Sequence, residues 1–138
     1  MKNLFSNLLN LASALFMFKF ALPKLLAAQV SVKTFSYFAQ VLPVNAKIYM
    51  YSVGLLELVV GLMMLALLFI KNEKQKALFI YVAYVLLAGT LIGALLHEYF
   101  VRPEPVAQLV TYSGCFLVIC AIQFLAYKKA LIARFEWP

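Results

Sequence analysis

Residues 48–70 read IYMYSVGLLELVVGLMMLALLFI, and Glu57 is the only charge among them. A helix rises ~1.5 Å per residue and the hydrocarbon core of a bilayer is ~30 Å thick, so an apolar run of this length crosses it. Working outward, Lys71-Asn-Glu-Lys-Gln-Lys76 is a charged turn. A second apolar run, about 77–99, stays uncharged until His97 and Glu98. Arg102-Pro-Glu-Pro105 then breaks the chain, because each proline removes a backbone donor. A third run, about 106–127, carries no charge and stops at Lys128 and Lys129. On the N-terminal side a run of about 4–22 has Lys19 as its only interior charge, and Pro23 and Lys24 close it. In hydrocarbon every backbone amide needs an internal partner, so the spans are helices, and the absence of period-two alternation argues against a β-barrel. The expectation is one all-α membrane domain over residues 1–138, a bundle of four transmembrane helices.

The bulk composition agrees. Of 138 residues, 66% are hydrophobic and 12% charged, and mean hydropathy is +0.95. Soluble domains carry about 25% charged residues. An ordinary soluble enzyme, a disordered chain and a nucleic-acid-binding domain are therefore excluded, and the net charge of +7 is expected to set topology and meet anionic headgroups. With four spans, Lys2, Lys71, Lys74, Lys76, Lys128, Lys129 and Arg134 fall on one side, and Lys19, Lys24, Lys33, Lys47 and Arg102 on the other. The excess of basic residues predicts that both termini are cytoplasmic, in a multi-pass protein of the cell inner membrane. The first run is expected to stay as a span, because Lys19 interrupts its core and Leu26 spoils a small-residue cleavage pattern. Between the first two spans, Val30, Thr34, Phe35, Phe38 and Leu42 fall near one face of a short interfacial helix that Pro43 ends. The tail, 128–138, sets Leu131, Ile132, Phe135 and Trp137 among basic residues and is expected at the interface too. Cys115 and Cys120 are five apart, on different helix faces, and form no redox or metal motif.

Scarce polar residues narrow the search for function. Glu57 lies about 13 Å into its span, and a carboxylate at that depth normally faces protein. Gly54 and Gly61, three before and four after it, share its face and let another helix approach closely. Glu57 is expected to point into the bundle, either as a proton or ligand site or as half of a structural ion pair. Its candidate partners are Lys19 and Lys24, which could otherwise snorkel to the headgroups. Gly89, Gly93 and His97 recur every four residues, which predicts a helix-packing face with His97 at its end. His97 is either an interfacial hydrogen-bonding residue or a relay or head-group ligand. Together Lys19, Lys24, Glu57, His97 and Glu98 predict a polar pocket open to the outer face. No metal is expected, and no intrinsic cofactor.

Three stretches resemble the DoxX/DoxD-like family of small four-helix membrane proteins. They are LFMFKFALPKLL at 15–26, GLLELVVGL at 54–62 and GTLIGALLH at 89–97. Lys24, Glu57, Gly61 and His97 are the residues that match the family pattern. Asn10 stands near the place of the family's first-helix arginine, and Phe20 or Ala21 replaces the glycine before the lysine. The resemblance implies an accessory or assembly subunit working beside a larger membrane-protein partner in the lipid bilayer. The alternative is a quinone-linked redox subunit in which His97, Glu57 and Lys24 bind the head group. A small proton-coupled transporter built on Glu57 is a third reading, from the carboxylate alone.

Overall fold

A computed structural model describes residues 2–136. Trp137 of the expected tail and the side chain of Lys2 lie outside the described residues. Five helices follow one another, and there is no strand among the described residues: α1 (Lys2–Leu25), α2 (Gln29–Val41), α3 (Ala46–Ala66), α4 (Glu73–Phe100) and α5 (Ala107–Phe135). The four long ones, all but α2, are long and apolar enough to cross a membrane. Their outward faces are apolar: Leu4, Leu8, Leu11, Leu15 and Leu22 form an exposed stripe along α1 alone. In water such a surface would be an aggregation hazard, whereas in a bilayer it is solvated by lipid tails.

Helix ends depart from the sequence expectation where local chemistry overrides hydropathy. Helix α1 continues through Pro23 to Leu25. The proline has no N–H to give back, and the Lys24 ammonium donates to the Phe20 carbonyl at 2.9 Å in the disturbed turn. Past Leu25 the chain turns on Ala27, whose φ of 49° is left-handed, while Ala28 N–H bonds the Pro23 carbonyl at 2.8 Å. That is the helix-ending arrangement glycine usually provides. Asn45 and Asn72 cap α3 and α4, each side-chain oxygen accepting two backbone N–H groups of the first turn. The Asn72 cap starts α4 at Glu73 rather than 77, and α3 ends at Ala66 rather than 70. Helix α5 runs on past Lys128, so residues 128–135 are its last two turns and not a separate tail. The charge at Lys128 ends the apolar pattern, not the helix.

Two pairs make the bundle. α1 packs along α3, and α4 along α5, while α2 lies against α3. The pairs meet in the half that carries the chain termini, around Met17, Val60, Met64, Ile80, Leu87 and Cys120. A buried polar network ties the same half together. Gln123 Nε2 donates to Asn10 Oδ1 at 3.0 Å and to Ser6 Oγ at 3.0 Å. Tyr84 O–H donates to Asn10 Oδ1 at 2.9 Å, and Tyr127 O–H to Ser6 Oγ at 3.1 Å. Helices α1, α4 and α5 are thus cross-linked at one end. In the opposite half, under α2, the pairs part and leave a cavity.

Candidate functional site

The cavity holds about 660 Å³ and takes residues from all five helices. Its walls are mostly apolar, with Phe16 and Met17 of α1 at its base. Polar side chains enter it from the end where α2 lies. The structure brings Lys24, Glu57, His97 and Glu98 to this chamber.

Glu57 is 6% exposed and faces the bundle interior. Lys24 Nζ lies 2.9 Å from its Oε1 and 2.7 Å from its Oε2. With the Phe20 carbonyl, all three ammonium protons are used. The approach of α1 and α3 makes this pair possible. A Cβ on Gly54 would come 2.9 Å from the Lys24 Cβ, and one on Gly61 would come 2.7 Å from the Phe18 ring. Both glycines therefore serve the close packing expected of them.

Lys19 does not join the cluster. It is exposed, and its ammonium lies over the Tyr112 ring at 5.3 Å. Five residues before Lys24 it is turned away around α1, and a cation–π contact with α5 takes the place of the expected ion pair.

His97 is held at both ring nitrogens. Nδ1 lies 2.6 Å from the Gly93 carbonyl, and Nε2 lies 2.6 Å from the Tyr49 hydroxyl. A carbonyl only accepts, so Nδ1 carries hydrogen, and in the Nδ1–H tautomer the ring accepts the Tyr49 O–H at Nε2. Phe38 of α2 leans on the imidazole with centroids 4.8 Å apart. Phe35 stacks edgewise on Tyr49 at 5.4 Å. Helix α2 thereby lies across the end of the chamber that was expected to be open. Its buried face is Ser31, Phe35 and Phe38, whereas Val30 stands at the rim.

Glu98 is 2% exposed and anchors the turn between α4 and α5. Its Oε2 accepts the Val106 N–H at 2.8 Å and lies 3.4 Å from Arg102 NH1. Arg102 NH2 in turn donates to Thr34 Oγ1 at 2.9 Å, which pins α2 to that turn. Glu98 and Arg102 are thus the latch of the roof.

Gly89 and Gly93 correct the sequence expectation. A Cβ added at either meets nothing within 4 Å. They pack no helix of this chain; both line the cavity. Glycines that share a helix face bring helices together at Gly54 and Gly61, but at Gly89 and Gly93 they leave an opening.

Sequence reasoning missed Tyr49 and Arg102. Tyr49 precedes Glu57 by eight residues and so shares its face of α3, and Arg102 follows Glu98 by four; those spacings were the available signals. Ser113 stands apart from the other polar residues of the outer half of α5, Gln108, Thr111 and Tyr112. It lines the cavity at 1% exposure, and its hydroxyl has no hydrogen-bond partner. Among the described residues no three of His, Cys, Asp and Glu converge in a group that could hold a metal ion. Cys115 and Cys120 are free thiols, one exposed and one buried. Compared with known proteins, the chain matches no family model, no curated protein and no solved structure.

Proposed function

We propose that this chain is a DoxX-like inner-membrane protein that serves as a small accessory subunit of a larger membrane complex, and that its contribution there is to hold a small amphipathic molecule. The observation that carries the reading is one apolar chamber with the Lys24–Glu57 pair and the Tyr49–His97 pair in its polar half. Three of the four residues that match the family pattern, Lys24, Glu57 and His97, line that chamber, and Gly61 packs the helices that carry two of them. The basic bias favours cytoplasmic termini, which sets the chamber in the outer half of the membrane and α2 at the outer interface.

A quinone-linked redox subunit is the second reading. A hydrogen-bonded imidazole and phenol in an apolar chamber suits a ring with oxygen substituents, the larger partner supplying the electrons. Proton-coupled transport has less support, because Lys24 holds both oxygens of Glu57.

Purification in a mild detergent tests the proposal. A larger membrane protein should co-purify in fixed ratio, and mass spectrometry of the extract should find an amphipathic small molecule. The molecule should be lost from His97→Ala while the partner is retained. A solitary chain overturns the subunit role, and an empty extract overturns ligand holding. Loss of quinone reduction in His97→Ala with assembly intact selects the redox reading.

A further inference from the structure

Six residues that border the cavity are exposed: Val30 and Val106 stand at the α2 end, and the other four lie together on α3 and α4. Leu56 of α3 is 43% exposed, Val85 and Leu86 of α4 are 57% and 37% exposed, and Gly89 is exposed with them. The chamber therefore reaches the lipid-facing surface between α3 and α4. Gly89 stands eleven residues before Phe100, about 16 Å down the helix, well inside the hydrocarbon. The opening is wide there because Gly89 and Gly93 present no side chain and meet none. At the far end α2 lies across the chamber, fastened by Thr34–Arg102 and packed on His97 through Phe38.

The unused hydrogen-bonding capacity inside is lopsided. All three Lys24 ammonium protons are spent on Phe20 and Glu57, and the His97 Nδ1 proton on Gly93. Thr90 donates to the Leu86 carbonyl. Spare N–H groups of Arg102 and the hydroxyls of Ser31 and Thr34 stand at the α2 end; deeper in, what remains is the second half of the Glu57 lone pairs, the oxygen of Tyr49, and the buried, unpartnered Ser113 hydroxyl. Those deeper groups mostly accept. A head group that only accepts would leave them unmet in a dry cavity, which is costly.

Resting on the ligand-holding reading above, we infer that the chamber is filled sideways from the bilayer, through the gap between α3 and α4 at Gly89 and Gly93, by a lipid with one long apolar chain and a hydroxyl-bearing head. The head sits among Glu57, Tyr49 and Ser113, and the chain leaves past Leu56 and Leu86 into the hydrocarbon.

The test uses the full chain in phosphatidylcholine nanodiscs with a monoacylglycerol that carries a photoreactive diazirine in its acyl chain. Irradiation and peptide mass spectrometry should find adducts on the interior residues Phe16 and Met17 as well as on the lipid-facing Leu15 and Leu125. Gly89→Phe, and independently Gly93→Leu, should lower the interior adducts at least tenfold while the lipid-facing ones stay at wild-type level. That level also reports that each variant is folded in the disc. Interior adducts unchanged in both variants overturn the side entry and leave the ligand-holding reading standing. Equal interior labelling by the same probe with both hydroxyls methylated overturns the hydroxyl-bearing head. Labelling confined to lipid-facing residues in the wild type overturns the inference, whereas the ligand-holding reading falls separately, on an empty extract.

Discussion

At the scale of single residues, the chain places one carboxylate deep in hydrocarbon and gives it one ammonium. The pair is nearly dry, with both carboxylate oxygens on the same nitrogen. Removing one partner of a buried pair leaves an uncompensated charge, which costs about 3–5 kcal/mol, whereas removing both costs little. Lys24→Met should therefore destabilise the bundle by about 3–5 kcal/mol. The double variant Lys24→Met with Glu57→Leu should recover most of that. Reversible unfolding in mixed micelles measures both, and a double variant no more stable than the single one would show that the pair is not coupled. Lys19 makes the complementary point. It carries the same charge as Lys24 and lies about 7 Å deeper along α1, but a turn and a half of helix sends it to the Tyr112 ring instead.

At the scale of elements, four glycines divide into two kinds. Gly54 and Gly61 are places where α3 meets α1, and the nearest atom to a Cβ on Gly54 is the stiff Cβ of Lys24. Gly89 and Gly93 lie where α4 has no neighbour. Gly54→Ala should thus lower stability by about 1–3 kcal/mol through overpacking. Gly89→Ala should raise it by about 0.5–1 kcal/mol, since alanine loses less freedom in a helix. Comparing midpoints of unfolding for the two variants decides the matter, and destabilisation by Gly89→Ala would mean that something does pack on that face. Sequence periodicity cannot separate the two kinds, because spacing reports which residues share a face and not what stands opposite it.

At the scale of the whole molecule, the two helix pairs are joined at the end that carries the termini and parted at the other. Gln123 is the centre of the joint, bonded to Ser6, Asn10 and Tyr84 on two other helices. Hydrogen bonds inside membrane bundles average about 0.6 kcal/mol each, so Gln123→Leu, which removes several, should cost about 2 kcal/mol. The chamber, half a membrane away, should keep its shape. Unfolding in micelles gives the first quantity, and unchanged labelling of Phe16 by the photoreactive lipid probes the second. A loss of that labelling would show that the joint also sets the chamber.

The four long helices follow from hydropathy alone, because lipid demands length and internally satisfied backbone whatever the neighbours are. The inward turn of Glu57 follows in the same way, since a carboxylate at that depth has nowhere else to go. So does the closeness of helices at Gly54 and Gly61, with a charge between them to bury. What only the tertiary structure decided is the pairing of elements: Lys24 rather than Lys19 on Glu57, Tyr49 on His97, Arg102 as the latch of α2, and open space beside Gly89 and Gly93. Each of these depends on the rotation and spacing of one helix against another. Those are set by the sum of many weak side-chain contacts along both helices, and no single segment of the chain contains that sum.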